Sequence, residues 1–242
     1  MTPIILIPAR MASTRLPGKP LADIAGLPMV VHVLRRALAS GIGPAAVACA
    51  EPEIAAAVRE AGGMAVLTDP ALPSGSDRVH AALALLDPEG LHDVVVNLQG
   101  DFPTVEPEAL RRVIEPLADP AVDVATLVAP IGHAAEAALA AVVKAACVFA
   151  PGQGVARALY FSRAAVPFGA GPLWHHIGIY AYRRAALDRF VALPESGLER
   201  RESLEQLRAL EAGMRIDCAQ VPHGPFGVDT PADLARARAL LA

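Results

Sequence analysis

Three cations lie close together near the start of the chain: Arg10, Arg15 and Lys19, in the segment PARMASTRLPGKP. The same segment holds a pair of hydroxyl side chains, Ser13 and Thr14. Arginine can bind a phosphate group through two parallel hydrogen bonds, and lysine supplies a compact positive charge. Because a triphosphate needs several such groups at adjacent phosphoryl oxygens, this segment predicts a phosphate-binding loop.

Two common phosphate motifs are excluded. A P-loop would need Gly at position 13 and Ser or Thr at position 20, where this chain has Ser13 and Pro20. The G-x-G-x-x-G pattern of dinucleotide-binding folds is absent. The alternative interpretation is an exposed basic loop without a ligand. It is disfavoured because the loop follows a buried apolar run and acidic residues are scarce before Asp23.

Two further polar clusters follow apolar runs, at residues 74–78 (SGSDR) and 99–103 (QGDFP). Ligands of an open α/β sheet bind beyond the carboxyl ends of its strands. Asp101 follows a predicted strand and Gly100, so its carboxylate should face that crevice. The three clusters together predict one site at the carboxyl edge of a sheet.

The elements that must position these clusters alternate between apolar strand patterns and helical patterns through the first half of the chain. This alternation predicts an α/β fold with a doubly wound, mostly parallel sheet of Rossmann type, while the second half is less regular. Strands are predicted at 4–8, 45–50, 64–67, 93–98, 123–128, 142–148, 160–162, 177–182 and 216–221. Helices are predicted at 29–39, 52–61, 77–86 (capped by Ser76), 107–117, 184–191, 202–212 and 232–241.

Composition narrows the class of protein. The chain has 242 residues, 54% of them hydrophobic, which suits a single domain spanning residues 1–242. With a net charge of −4 and no run of Lys or Arg, we expect no nucleic-acid partner. No apolar run approaches the ~20 residues of a membrane-spanning helix, so we expect no membrane insertion. The opening MTPIILIPAR lacks a basic region and indicates a strand instead of a signal peptide, which makes the cytoplasm the expected compartment.

The three cysteines, Cys49, Cys147 and Cys218, are odd in number and far apart, with no C-x-x-C pair. This pattern favours buried thiols over a metal site or a disulfide.

The opening IPARxxSTRLPGKPL resembles that of the 3-deoxy-D-manno-octulosonate (Kdo) cytidylyltransferase family, within the wider group of sugar nucleotidyltransferases. The similarity continues in order along essentially the whole chain. It covers GxPMVxHV (from Gly26), SGSDR, VNLQGD (from Val96), ALYFSRAxP (from Ala158), HxGIYAYR (from His176), LEQLR (from Leu204) and GVDTPxDL (from Gly227). The opening loop alone indicates a nucleotidyltransferase, and the last three motifs are specific for the Kdo branch.

The resemblance implies a nucleotide-diphospho-sugar transferase-like fold and transfer of CMP from CTP to the anomeric hydroxyl of Kdo, with release of pyrophosphate, for lipopolysaccharide synthesis. CTP and Kdo are the implied substrates, Mg²⁺ the implied cofactor, and a homodimer the implied assembly. The implied nucleotide-binding residues are Arg10, Ser13, Arg15, Lys19, Ser74 and Arg78. The implied metal-binding carboxylates are Asp101 and Asp229, which with Arg10 and Lys19 make up the catalytic set. The implied sugar-acid-binding residues are Gln99, Arg163, His176, Tyr180, Glu205 and Gln206.

Several of these residues also allow purely structural interpretations. His176 and Tyr180 lie on the same face of a strand and could simply pack. Glu205 and Arg208 could form a helix-surface pair. Asp229 could cap the last helix, because D-T-P is a good helix start.

Two positions depart from the family pattern. Phe102 stands where many members have an acid after the metal-binding aspartate, and residues 150–154 (APGQG) indicate an altered surface loop. Phe102 leaves open a related substrate, such as 8-amino-Kdo or a sialic-acid-like sugar. A nucleotide-binding regulatory protein without turnover is the alternative of another class, and the intact Lys19, Asp101 and Asp229 argue against it.

Overall fold

The computed structural model describes residues 1–13 and 15–242, so Thr14 of the predicted hydroxyl pair lies outside the described residues. The chain forms two compact units, the first made of residues 1–110 and 225–242 and the second of residues 111–224. The single nucleotidyltransferase domain predicted for residues 1–242 stays a prediction.

The strands of the described residues are numbered in chain order. They are β1 Pro3–Ala9, β2 Asp23–Ile24, β3 Leu27–Pro28, β4 Ala45–Cys49, β5 Met64–Leu67, β6 Val94–Asn97, β7 Val124–Pro130, β8 Lys144–Ala146, β9 Val155–Arg157, β10 Tyr160–Ser162, β11 Trp174–Arg183 and β12 Ile216–Gln220.

The α-helices of the same residues are α1 Met29–Ala39, α2 Pro52–Glu60, α3 Gly75–Leu86, α4 Pro107–Val113, α5 Ala134–Ala137, α6 Arg184–Ala192, α7 Gly197–Glu202, α8 Leu207–Glu211 and α9 Pro231–Leu241. Within the described part of the chain, none of these helices combines the length and the apolar character needed to cross a bilayer.

The first unit holds a parallel sheet in the order β5-β4-β1-β6. The central strand β1 is buried along almost its whole length, which explains why its sequence is continuously apolar. The chain leaves β1 towards β4 on one side, whereas β6 pairs with β1 on the other side. Such a reversal of strand order opens a crevice at the carboxyl ends of the two strands.

The last helix packs on the short β2–β3 hairpin of the same unit. Their shared core contains Ile24, Met29, Val228, Leu234 and Ala237. This core anchors the segment just before α9, which carries Asp229.

The second unit holds a mixed sheet in the order β11-β7-β12-β9, with β8 beside β11 and β10 beside β8. Strands β7 and β12 are parallel, whereas β11 runs antiparallel to β7 and shifts its register between Ile177 and Tyr180. The predicted α/β fold, doubly wound on a mostly parallel sheet, is confirmed, and its parallel strands are concentrated in the first unit.

The predicted helix at 202–212 is wrong. Helix α7 ends at Glu202 because Ser203 adopts a left-handed conformation with φ 53°, and the chain becomes helical again only at Leu207. The helix predicted at 107–117 ends at Val113, and a 3₁₀ turn over Glu115–Ala118 follows.

The predicted cap of α3 is also wrong. The hydroxyl of Ser74 accepts a hydrogen bond from the Asp77 backbone at 3.2 Å, so α3 begins two residues before the position that a Ser76 cap predicts. The β2–β3 hairpin and β9 were not predicted, because strands of two or three residues show no alternation.

Candidate active site

A cavity of about 400 Å³ lies beyond the carboxyl ends of β1 and β6 in the first unit, at the reversal of strand order. Its size is that of a pocket for a small organic ligand. All of the predicted nucleotide-binding residues and both predicted metal-binding carboxylates line it, together with one predicted sugar-binding residue: Arg10, Ser13, Arg15, Lys19, Ser74, Arg78, Gln99, Asp101 and Asp229. With four cations against two carboxylates, this lining suits a polyanion.

One ammonium group joins the two aspartates. The Nζ atom of Lys19 lies 2.7 Å from Oδ2 of Asp101 and 3.1 Å from Oδ1 of Asp229. Because both oxygens accept from the same nitrogen, they lie no further apart than the sum of these two distances. Two carboxylates that are far apart in the sequence are therefore close in space, while their role as metal ligands stays a prediction.

Asp101 is positioned by close backbone packing at the end of β6. A Cβ atom at the preceding Gly100 would come within 2.9 Å of the carbonyl oxygen of Pro8, so only glycine fits there. The carbonyl of Asp101 in turn accepts a hydrogen bond from the backbone of Val228 at 3.0 Å. This bond ties the segment that carries Asp229 to the segment that carries Asp101.

Asp229 does not cap the final helix. Thr230 is the N-cap of α9 and forms a capping box with Asp233. The carboxylate of Asp229 is instead directed to cations, with Oδ2 at 3.0 Å from the guanidinium of Arg15 and Oδ1 bound to Lys19. The capping interpretation of this residue is wrong.

Phe102, where many family members have an acid, packs beside the same segment. A Cβ atom at Gly227 would lie 3.5 Å from Cε1 of the Phe102 ring. The aromatic ring therefore supports the loop that leads to Asp229.

Lys19 follows a left-handed turn at Gly18, which has φ 70°, and begins a short 3₁₀ helix. Burial lowers the pKa of Lys19, but the charges and hydrogen bonds of Asp101 and Asp229 outweigh burial and leave this pKa raised. Lys19 is therefore a permanent cation at the floor of the cavity.

Arg78 and Ser74 hold the start of helix α3 at the cavity. The guanidinium of Arg78 is buried and donates to Oγ1 of Thr68 at 2.7 Å and to the carbonyl of Asp69 at 3.1 Å. Burial lowers the pKa of Arg78, and the nearby charge of Arg10 adds to this effect. The amino end of α3, capped by Ser74, adds the positive end of a helix dipole to the cavity.

The donor set suits a hard divalent cation. Two carboxylates converge on one position, and Mg²⁺ prefers carboxylate oxygens completed by water and phosphate oxygens. Among the described residues there is no group of three or more His, Cys, Asp and Glu side chains placed to hold a metal ion.

In the second unit, Arg163 is held by backbone carbonyls. Its guanidinium donates to the carbonyl oxygens of Glu202 at 2.6 Å, Ala140 at 3.0 Å and Ser203 at 3.1 Å. The carboxylate of Glu202 also accepts from the Arg163 backbone at 2.9 Å and from Ser162 at 2.9 Å. Sequence reasoning assigned the Arg163 guanidinium to a ligand and missed this structural network.

His176 and Tyr180 lie on the same side of β11, with ring centroids 5.5 Å apart. Nε2 of His176 is 3.0 Å from the hydroxyl of Thr126, which also donates to backbone carbonyls at the register shift, including that of Ile179 at 2.9 Å. Because carbonyl oxygens only accept, the tautomer with its proton on Nε2 of His176 lets the single hydroxyl proton of Thr126 go to a carbonyl. Burial lowers the pKa of His176 to about 3, with a smaller contribution from His175, so the imidazole is neutral. Burial also raises the pKa of Tyr180 well above its usual range.

Gln206 stands out among the buried polar groups. The residue is 5% exposed, and in the described part of the chain its Nε2 is the one buried side-chain nitrogen or oxygen without a hydrogen-bond partner. An unpaired buried amide costs free energy unless a ligand completes it. The adjacent Glu205 is partly buried, and its charge is one of the influences on Tyr180.

Comparison with known proteins agrees with the resemblance in the motifs. The profile of the cytidylyltransferase family matches residues 4–216. The 3-deoxy-manno-octulosonate cytidylyltransferase of Paramagnetospirillum magneticum is 63% identical over 241 residues, which cover 100% of this chain and 98% of that protein. The enzyme of the same name from Bradyrhizobium diazoefficiens is 62% identical over 239 residues, covering 98% of this chain and 96% of that protein.

Solved structures show the same similarity. The structure described as CMP:2-keto-3-deoxy-manno-octonic acid synthetase complexed with CTP superposes with a TM-score of 0.90 at 42% identity, covering 99% of this chain and 98% of that one. A cytidylyltransferase from Leptospira borgpetersenii superposes with a TM-score of 0.62 at 16% identity, covering 99% of this chain and 86% of that one, which is a similarity of fold alone.

Proposed function

The chain belongs to the cytidylyltransferase family, and we propose that it transfers CMP from CTP to the anomeric hydroxyl of Kdo, with release of pyrophosphate. The enzyme is a nucleotidyltransferase, and its product is the activated sugar that lipopolysaccharide synthesis consumes.

The observation that carries this proposal is the cavity at the ends of β1 and β6. It brings four cations and two carboxylates from four separate segments of the first unit to one place. A purely structural cluster would pair its charges, whereas this lining keeps an excess of positive charge. The excess matches the triphosphate of a nucleotide.

The reaction forms a bond between the anomeric C2 oxygen of the sugar acid and the α-phosphorus of CTP. The bond from that phosphorus to the bridging oxygen of the β-phosphate breaks, and the hydroxyl proton leaves to solvent. Positioning and charge stabilisation are the main contributions that a protein makes to such a transfer. In our proposal Arg10, Arg15 and Lys19 bind the phosphates and stabilise the departing pyrophosphate, with the amino end of α3 beside them.

We further propose that Asp101 and Asp229 hold Mg²⁺, because their oxygens converge and the remaining ligands can come from phosphate and water. When bound, the ion would polarise the α-phosphoryl group and lower the pKa of the attacking hydroxyl.

For the sugar acid we propose the contacts that the family resemblance implies, which are those of Gln99, Arg163, His176, Tyr180, Glu205 and Gln206. The unpaired amide of Gln206 supports this assignment most directly, because a polyol offers the acceptor that the amide lacks. The neutral imidazole of His176 and the neutral phenol of Tyr180 suit hydrogen bonding more than charge pairing.

We also propose a homodimer in the cytoplasm. The second unit exposes large apolar side chains, with relative exposures of 82% for Val148, 69% for Leu159 and 105% for Phe168. A second subunit could cover such side chains. The three cysteines are free thiols, which is typical of a reducing compartment. Light scattering on the purified protein at several concentrations tests the dimer.

The test of function is pyrophosphate release with CTP or UTP against a panel of keto sugar acids that contains Kdo, 8-amino-Kdo and a sialic acid. We expect CTP with Kdo to react fastest. We expect UTP to be slower on the order of 10⁴-fold, because a site built for the cytosine amino group leaves its acceptors unpaired against uracil. Equal turnover of both nucleotides would reduce the assignment to a generic nucleotidyltransferase. A preference for another acid would replace Kdo as the proposed substrate, and nucleotide binding without turnover would favour a regulatory protein.

A further inference from the structure

Lys19 occupies the position between the two aspartates that a metal ion would need. Its ammonium group donates to one oxygen of each carboxylate, at 2.7 Å and 3.1 Å. The second oxygen of Asp229 is paired with Arg15 at 3.0 Å. Three carboxylate oxygens of the candidate metal site are therefore bound to the protein's own cations.

We infer that Lys19 is an internal competitor of the divalent cation, and that the phosphates of the nucleotide decide this competition by drawing the ammonium away from the carboxylates. The inference rests on the proposed function, since it deepens the role of the same site. Its consequence is an order of binding, in which the ion enters the Asp101–Asp229 pair together with the nucleotide or after it.

The physical reason is that an ammonium group and a metal ion use the same lone pairs. Mg²⁺ would need carboxylate oxygens at about 2.1 Å, and an N–H donor on the same lone pair excludes it. The Lys19 side chain is 16% exposed, whereas those of Asp101 and Asp229 are 26% and 41% exposed. The lysine therefore lies beneath its partners, where water screens its interactions less.

The lysine is also suited to release. Its charge sits on a flexible four-carbon stem, so the ammonium can turn from one acceptor to another without movement of the backbone. Triphosphate oxygens in the same cavity offer a stronger concentration of negative charge than the two carboxylates. Once the ammonium has turned to them, both aspartate oxygens are available to the metal.

The test is a titration of Mn²⁺ into the protein without nucleotide, with free Mn²⁺ followed by electron paramagnetic resonance. We expect weak binding to the wild type and binding tighter on the order of tenfold in Lys19→Met, because the competing cation is gone. Lys19→Gln is the second variant, for the case that the first does not fold, and circular dichroism checks the fold of each. Lys19→Arg keeps the charge and should not tighten binding.

The matched control is Arg10→Met. Arg10 lines the same cavity, whereas the ion pairs of the two aspartates are with Lys19 and Arg15. Its removal therefore changes the net charge of the cavity by the same amount without freeing a carboxylate oxygen. Adding Asp101→Asn to Lys19→Met should remove the tighter binding, which would place the ion at this pair.

The inference is overturned if neither Lys19→Met nor Lys19→Gln binds Mn²⁺ more tightly than the wild type. Equal tightening in Arg10→Met, or tight binding that survives Asp101→Asn, also overturns it. CTP affinity of Lys19→Met should change in the opposite direction and weaken, whereas a purely structural lysine would lower both affinities. Because the titration contains no substrate, its outcome is independent of pyrophosphate release, which alone decides the proposed function.

Discussion

The predicted nucleotide residues of the first unit and the predicted sugar residues of the second unit are built in different ways. In the first unit, Arg15 and Lys19 lie at a cavity and form ion pairs with its two carboxylates, whereas Arg78 is buried and bound to a hydroxyl and a backbone carbonyl. In the second unit, His176 and Gln206 are buried, and Arg163 is bound to backbone carbonyls.

The difference shows that the first unit provides ion-paired side chains, whereas the second unit provides side chains that are fixed by burial and by hydrogen bonds. Exchangeable ion pairs such as Lys19–Asp101 can be rearranged by an incoming anion, whereas a buried neutral group such as His176 cannot change its partners without repacking. Substitutions in the first unit should therefore change chemistry with little loss of stability. Substitutions in the second unit should change stability, ligand affinity or both.

The largest effect is expected at the two converging aspartates. Asp101→Asn or Asp229→Asn keeps the size of the side chain and removes its charge, so each should lower the rate of pyrophosphate release on the order of 10³-fold while the protein stays folded. The double variant should be little worse than either single one, because each change disables the same pair. Additive losses, or unfolding of the single variants by circular dichroism, would contradict this role.

Arg163 provides a sharper comparison of the two units. Arg163→Ala removes donors from three carbonyl oxygens, so we expect the free energy of unfolding in urea to fall by about 2 kcal/mol. The resemblance predicts in addition a higher KM for Kdo with nearly unchanged CTP binding. Arg157→Ala, at an exposed position, is the control for loss of charge. Unchanged stability with a raised KM for Kdo would mean that Arg163 binds a ligand without stabilising the fold, as is expected for the cations of the first unit.

His176 should make stability depend on pH. Burial lowers the pKa of His176 to about 3 in the folded protein, whereas the unfolded chain recovers the usual 6.5. Between these values only the unfolded chain takes up the proton, so the contribution to stability is complete above the higher value and is lost as pH falls. Between about pH 7.5 and 5.5 the loss should be about 1.4 kcal/mol.

The measurement is urea unfolding of the wild type and of His176→Gln at both pH values. The variant should lack this component of the loss, while all other titrating groups contribute equally in both proteins. An identical pH dependence in the two proteins would show that the folded state admits the proton, and that the imidazole is less enclosed than its contacts with Thr126 and Phe161 indicate.

The smallest effect on stability is expected at Gln206, and its sign is unusual. Gln206→Met replaces an unpaired buried amide with an apolar side chain of similar volume, so the free energy of unfolding should rise by about 1 kcal/mol. The KM for Kdo should rise at the same time, with the KM for CTP unchanged. Lower stability in the variant would mean that the amide is paired within the protein and is not kept for a ligand.

Much of the architecture was predictable from local pattern. The continuous apolar run of β1 and the helical spacing of apolar residues in α1 predict these two elements nearly to the residue. A strand buried on both faces is apolar throughout, and a helix buried on one face is apolar at every third or fourth position, so a few neighbouring residues reveal each pattern. Motif order likewise identified the family, and the opening loop predicted residues that line the cavity of the first unit. These features depend on neighbours in the sequence, so the sequence contains them.

Local pattern failed where a single backbone conformation or a hydrogen bond decided the outcome. The helical period through residues 202–212 continues across Ser203, yet the left-handed conformation of this residue divides the segment into α7 and α8. Either Asp229 or Thr230 could have capped α9, and only the structure shows that Thr230 does so.

The amino-acid sequence by itself determined the class of fold, the family and the identity of the charged residues. The tertiary structure alone decided which of them meet. Asp101 and Asp229 are brought to one ammonium group by the packing of α9 on the hairpin and by the backbone bond from Val228. The structure likewise decided that Arg163 donates hydrogen bonds to backbone carbonyls and that the Nε2 atom of Gln206 is buried without a hydrogen-bond partner. The physical reason is that such contacts join residues distant in the chain, so no local pattern of residue types records them.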